Sequence, residues 1–298
     1  MSISFRSITK ACSTNPHLDR AVRTLDGFAT AISVQQQATE RLRGLVSTKA
    51  TVEFEPMLSG DITDKWLDTA VRDRVQARDT DIRIELLENL RIAAESDAAN
   101  IVELGADTVL AALDTELQTL VANASDAAQL LSGATTATEA ISRGAHAAWA
   151  ELTKWAEQYA DLRIAQRHII TSMSPDLVIA SQTGNQPDAH ASDLFIGNLD
   201  ELWPNWRRPE AYGHAGYSGD NGYGNTTPWP NEPVEQLVWM VTHNAQLWIP
   251  TMAKLEQLHT SRRAVPVRSE GVTVPAAEQG QTKRRIDAAI ELAHQYAE

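Results

Sequence analysis

The chain reads as mainly α: an elongated helical bundle with a long irregular Trp/Tyr/Gly-rich insert and at most a minor β element. Three observations predict this. Apolar residues recur at three- and four-residue steps, almost unbroken, from Asp61 to Ile170. From Gln182 to Pro233 that period stops, and Trp, Tyr, Gly and Pro accumulate. After Pro233 the helical period returns. The organisation expected is a helical body over 1–175, the insert over 176–233, a kinked core helix over 234–260, and a linker with a C-terminal helix over 261–298.

The first helix has a marked start. Asn15 can cap it, and Pro16 sits where a missing N–H costs nothing. Leu18, Val22, Leu25, Ala29 and Ile32 then step along one side, and the helix is expected to run to Leu45 or Val46. Residues 47–59 alternate and end near Pro56, which suits a short strand or an extended linker, with Leu177 to Ala180 the other strand candidate.

Asp61 opens the next expected helix, with Trp66, Leu67, Ala70, Val71 and Val75 on its buried side. Ile82, Leu86, Leu90, Ala93, Asp97, Ile101, Leu104 and Thr108 follow at a mean step slightly above the helical period. Val109, Leu113, Leu117, Leu120, Ala124, Ala127 and Leu131 continue closer to a coiled-coil heptad. Gly133 breaks the pattern, and Thr136 with Glu139 has the form of a capping box. Ile141, Ala145, Ala148, Leu152, Trp155, Tyr159, Leu162, Gln166 and Ile169 mark the third helix, which Ser174-Pro175 closes.

Beyond the insert, Leu237, Val238, Val241, Ala245, Trp248, Met252, Leu255 and Leu258 predict a helix that Pro250 must kink or split near Ile249. Pro266, Gly271, Pro275 and Gly280 mark a linker, and Ile286, Ala289, Ile290 and Ala293 a short last helix.

Composition narrows the function classes. With 298 residues and 43% hydrophobic content the chain can bury a substantial core. A net charge of −13 disfavours nonspecific binding to a phosphate backbone, although Lys283, Arg284 and Arg285 could act as a local basic tether. The single cysteine, Cys12, rules out an intrachain disulfide and is expected to be a small packed residue. No run reaches about 18 uninterrupted apolar residues, and no apolar core follows the basic residues of the N-terminus, so neither a membrane span nor a cleaved signal is expected. The expected location is the cytoplasm, or a virion if the chain is phage-encoded.

The phosphate-cradling, dinucleotide, serine-elbow, zinc-protease and calcium-loop motifs are all missing. No cofactor and no metal are expected; His190 with Asp193, and His214 with Asp220, lack the spacing of a ligand set. Asp220, Asn221 and Asn225 could offer oxygen ligands to calcium among the glycines. The insert is where function is expected to concentrate, because Trp203, Trp206, Tyr212, Tyr217, Tyr223 and Trp229 could offer flat faces to a partner. They could equally turn inward and make a mini-core.

The expectation is therefore a noncatalytic structural or assembly protein, joining copies of itself or the subunits of a larger complex. Leu86, Leu90, Ile101, Leu104, Leu113, Leu117, Leu120, Leu152 and Trp155 would carry packing within or between subunits. The Ala/Thr/Asp-rich, Lys-poor style resembles proteins of high-GC actinobacteria and their phages, which would suit a phage-particle component. The alternative is a glycan-acting hydrolase, with Asp193, Asp200 or Glu201 as acid or base and Trp203 or Trp206 stacking on a sugar.

Overall fold

The computed structural model describes residues 3–46, 61–174, 196–203 and 228–264. Among these the chain is mainly helical, and the only β feature is an isolated antiparallel bridge between Ile196 and Leu247. The chain divides into two compact units, Met1–Arg262 and Arg263–Glu298, and everything below concerns the first. The strand candidates at 47–59 and 177–180 and the basic C-terminal segment lie outside the described residues.

The N-terminal region is three helices, not the single long one expected: α1 (Phe5–Thr14), α2 (Pro16–Arg23) and α3 (Phe28–Val46). The Asn15 side chain caps α2 by accepting from the Leu18 amide at 3.0 Å, and its amide nitrogen donates to the Asp161 carbonyl at 2.7 Å. One residue thus starts a helix and ties it to a distant one. Gly27, at φ +85°, turns the chain between α2 and α3. That turn shifts the buried side, so Phe28 and Ala31 are buried while Ala29 is exposed.

Two long helices follow, α4 (Asp64–Leu104) and α5 (Ala106–Gln129). Thr63, not Asp61, caps α4, accepting from the Trp66 amide at 3.2 Å. The break at Gly105 between them was not visible as a break in the apolar period. It is a close-approach site: a Cβ there would lie 2.5 Å from Leu25 Cδ2 and 3.0 Å from the Ile101 carbonyl oxygen.

Thr136 caps the short α6 (Ala137–Ser142) by accepting from the Glu139 amide at 3.3 Å, and Glu139 reaches back to the Thr135 amide at 2.9 Å. Gly144, at φ +72°, then separates α6 from α7 (His146–Met173). Because of that turn Ile141 falls on an exposed face, contrary to its place in the expected third stripe.

The core is built around α5. Val109, Leu113, Leu117, Leu120, Ala124, Ala127 and Leu131 are all buried, as their spacing predicts. They meet Leu152, Leu162, Ala165, Ile169 and Ile170 of α7 and the α2 residues Leu18 and Val22. After α8 (Leu199–Leu202), α9 (Pro233–Thr242) adds Leu237, Val238 and Met240.

The last expected core helix is broken more widely than Pro250 alone requires. α9 stops at Thr242, and α10 (Met252–Ala264) begins after an irregular stretch. Three α5 side chains hold that stretch. Asp114 accepts from the Ile249 amide at 2.7 Å, Gln118 donates to the Leu247 carbonyl at 2.9 Å, and Asp107 accepts from the Met252 amide at 2.7 Å. Backbone groups that a helix would have satisfied internally are satisfied by these side chains instead.

Candidate interaction surface

α4 has 41 residues, a length of about 60 Å at roughly 1.5 Å per residue. Its sequence carries two apolar stripes on nearly opposite faces. One runs through Ile84, Leu87, Ala94, Ala98 and Val102, with Arg91 among them, and is buried or half-buried. This is the face α3 covers: Gln35 donates to Glu95 at 3.2 Å, and Gly27 faces Ile101.

The other stripe is the one singled out from periodicity, and it points the other way. Leu67, Val71, Val75, Ile82, Leu86 and Leu90 are all exposed, Leu86 at 64% and Val75 at 64%. Leu104, expected to pack, is 89% exposed, and Ile101 is half-buried. The expected buried side over Trp66 to Val75 is thus corrected: only Trp66 and Ala70 there are even half-buried. The reason is placement. α3 runs antiparallel to α4, from Gly27 beside Ile101 to Leu45 beside Leu87, so it covers one face of the second half of α4.

Where α3 ends, a cavity of about 510 Å³ opens between the helices, lined by Arg41, Gly44, Leu45, Arg83, Leu86 and Leu87. It joins the outer stripe at Leu86. An exposed run of this length on a helix is the kind of apolar patch that marks an interaction surface. Charge varies along it. In the first half of α4, Lys65, Arg72, Arg74, Arg78 and Arg83 balance Asp64, Asp68, Asp73, Asp79 and Asp81, while Glu85, Glu88, Glu95, Asp97 and Glu103 make the second half acidic, with Arg91 its sole base.

The aromatic residues expected to meet a partner behave differently. Trp203 and Trp229 are buried, at 8% and 6% exposure, and pack edge to face with centroids 5.7 Å apart. Trp229 also leans on Trp239 at 5.8 Å, and Trp239 stacks on His243 at 4.2 Å. At these positions the rings form a mini-core and offer no open face to a partner or a sugar. Trp206, Tyr212, Tyr217 and Tyr223 lie outside the described residues, as do Asp193, His190, His214, Asp220, Asn221 and Asn225. Asp200 and Glu201 are exposed on the short α8.

A polar cluster that periodicity did not reveal joins α2 to α5. Glu116 accepts from Arg20 through Nη2 at 2.9 Å and from the His17 Nδ1–H. Burial pushes the Glu116 carboxyl up, but the bonds from Arg20 and His17 outweigh it and hold the group below the usual carboxylate range. That arrangement ties helices together; no hydroxyl or thiol nucleophile contacts it through any described hydrogen bond. The Cys12 thiol is pushed up to about 11, by burial first and by Asp19 second, so it is a poor nucleophile. Among the described residues no group of three His, Cys, Asp or Glu could hold a metal ion, and no helix is long and apolar enough to cross a membrane.

Comparison of the chain with protein-family models, with curated proteins and with solved structures finds no match.

Proposed function

We propose that this is a noncatalytic assembly protein that docks onto other protein subunits through the outer stripe of α4. The observation that carries the reading is the row Leu67, Val71, Val75, Ile82, Leu86 and Leu90, all exposed along α4. Burying one such side chain contributes roughly 1.5–3 kcal/mol, so a row of six is a large unmet driving force. The catalytic alternative gains nothing comparable, because its ring at Trp203 is turned inward.

The experiment is light scattering at about 100 μM protein, a concentration that reveals weak interfaces. The wild type is expected to exceed the 32.7 kDa of one chain. Val75→Asp with Leu86→Asp is expected to return it to one chain with unchanged helical circular dichroism. A wild type that stays at 32.7 kDa overturns the reading for self-assembly, and a double variant that associates as the wild type does overturns the role of the stripe.

A further inference from the structure

Resting on the reading of α4 as an assembly surface, we infer that its occupant is a second copy of the same helix, docked antiparallel about a two-fold axis between Arg78 and Asp79. The stripe is palindromic. Its steps from Leu67 to Leu90 are four, four, seven, four and four residues, the same in either direction. A two-fold interface is self-complementary, so it needs such a surface. With the axis at its centre, Val75 meets the second copy's Ile82, Val71 meets its Leu86, and Leu67 meets its Leu90. The seven-residue gap falls on the axis itself, where Arg78 of one copy lies beside Asp79 of the other.

The flanking charges agree with this alignment. Arg74 comes opposite the second copy's Glu85, and Arg78 opposite its Asp81, each pair occurring twice by symmetry. Arg72 comes near the second copy's Arg83, a like-charge approach, but the Arg83 guanidinium is already held by Asp79 of its own helix at 2.7 Å. A parallel alignment would instead lay the acidic second half of α4 on itself. Antiparallel docking sets Glu85 and Glu88 beside the first half of the second copy, where Arg74 offers Glu85 a partner, and leaves Glu95, Asp97 and Glu103 beyond the overlap, which favours the pairing.

The stripe is about 35 Å long. A single helix pair of that length covers on the order of 700–1,000 Å² in total, below the roughly 1,200 Å² of standard stable interfaces. The dimer is therefore weak, forming at micromolar protein and not at nanomolar.

The test uses the full chain with Cys12→Ser. Val75→Cys and Ile82→Cys proteins are oxidised separately and as a mixture. A disulfide needs Cα atoms within about 7 Å, so the mixture is expected to cross-link and each protein alone to remain largely uncross-linked. Efficient cross-linking of each alone, or none in the mixture while light scattering shows the wild-type dimer, overturns the antiparallel arrangement. Arg74→Glu and Glu85→Arg are each expected to weaken the dimer by about tenfold, and the two together to restore it to within about threefold. These positions are eleven residues apart on one helix, too far to pair with each other, so no restoration in the double variant also overturns it. A wild type that forms no dimer at all overturns the second copy as occupant, while the reading of the stripe as a docking surface falls only if Val75→Asp with Leu86→Asp leaves association unchanged, which separates the two failures.

Discussion

Arg163 donates from Nη1 to the carbonyl oxygen of Trp248 at 2.7 Å across 85 positions of sequence. The same nitrogen donates to Gln166 at 2.7 Å, and the guanidinium sits 4.7 Å over the Tyr159 ring. Both Arg163 and Gln166 are buried. A cation inside the α7 core thus holds the irregular stretch before Pro250, and the stripe of α7 is polar at 166 because that glutamine serves the arginine.

Replacing Arg163 by alanine is expected to destabilise the fold by about 2–4 kcal/mol, because the Trp248 carbonyl and the Gln166 amide oxygen lose their donor. Urea unfolding followed by circular dichroism measures this. A loss of under about 0.5 kcal/mol would mean that the packing of α9 and α10 holds the stretch without it.

Gly105→Ala is expected to cost about 1–3 kcal/mol by overpacking. The added Cβ would meet Leu25 at 2.5 Å and the Ile101 carbonyl oxygen at 3.0 Å. Leu25→Ala in the same chain would relieve the first clash but not the second. The double variant is therefore expected to lose less than the sum of the two single losses, read from a double-mutant cycle.

The two faces of α4 and the seam of α5 differ in cost. Leu90→Ala, on the exposed stripe, is expected to change stability of the monomer by no more than about 0.5 kcal/mol. Leu117→Ala, fully buried on α5, is expected to cost about 2–5 kcal/mol. Thermal melts at protein concentrations too low for association compare them. Equal losses would contradict the assignment of faces.

Stability is expected to fall with acid in two steps. Burial holds the His168 imidazole below its ordinary 6.5, so the unfolded chain takes up a proton more readily and stability declines as pH drops through that value. Glu116 is held below 4.5, so its contribution is present above that value and is lost as pH falls through the lower folded value. Urea midpoints measured across this range should show the second decline shrink in Glu116→Gln and the first shrink in His168→Gln. A Glu116→Gln profile that superimposes on the wild type below 4.5 would show that the Arg20 and His17 bonds leave no net effect on folding.

Much of the helix punctuation was legible because capping is local chemistry. Asn15-Pro16 and Thr136 with Glu139 start helices where their residue types say they should. The turns at Gly27, Gly105 and Gly144 were harder, since apolar residues continue on both sides and the period hides the break. The inner stripe of α4 had a signal too, but Arg91 interrupts it and the outer row looked more regular.

What the residues determined alone was helicity, the caps and the buried seam of α5, because each depends on neighbours within a turn or two of chain. Which face of α4 is covered was decided only by where α3 lies, and the inward turn of Trp203 and Trp229 only by their packing on each other and that of Trp229 on Trp239. Spacing along a helix says which side chains share a face; whether that face meets water depends on what the rest of the chain brings against it.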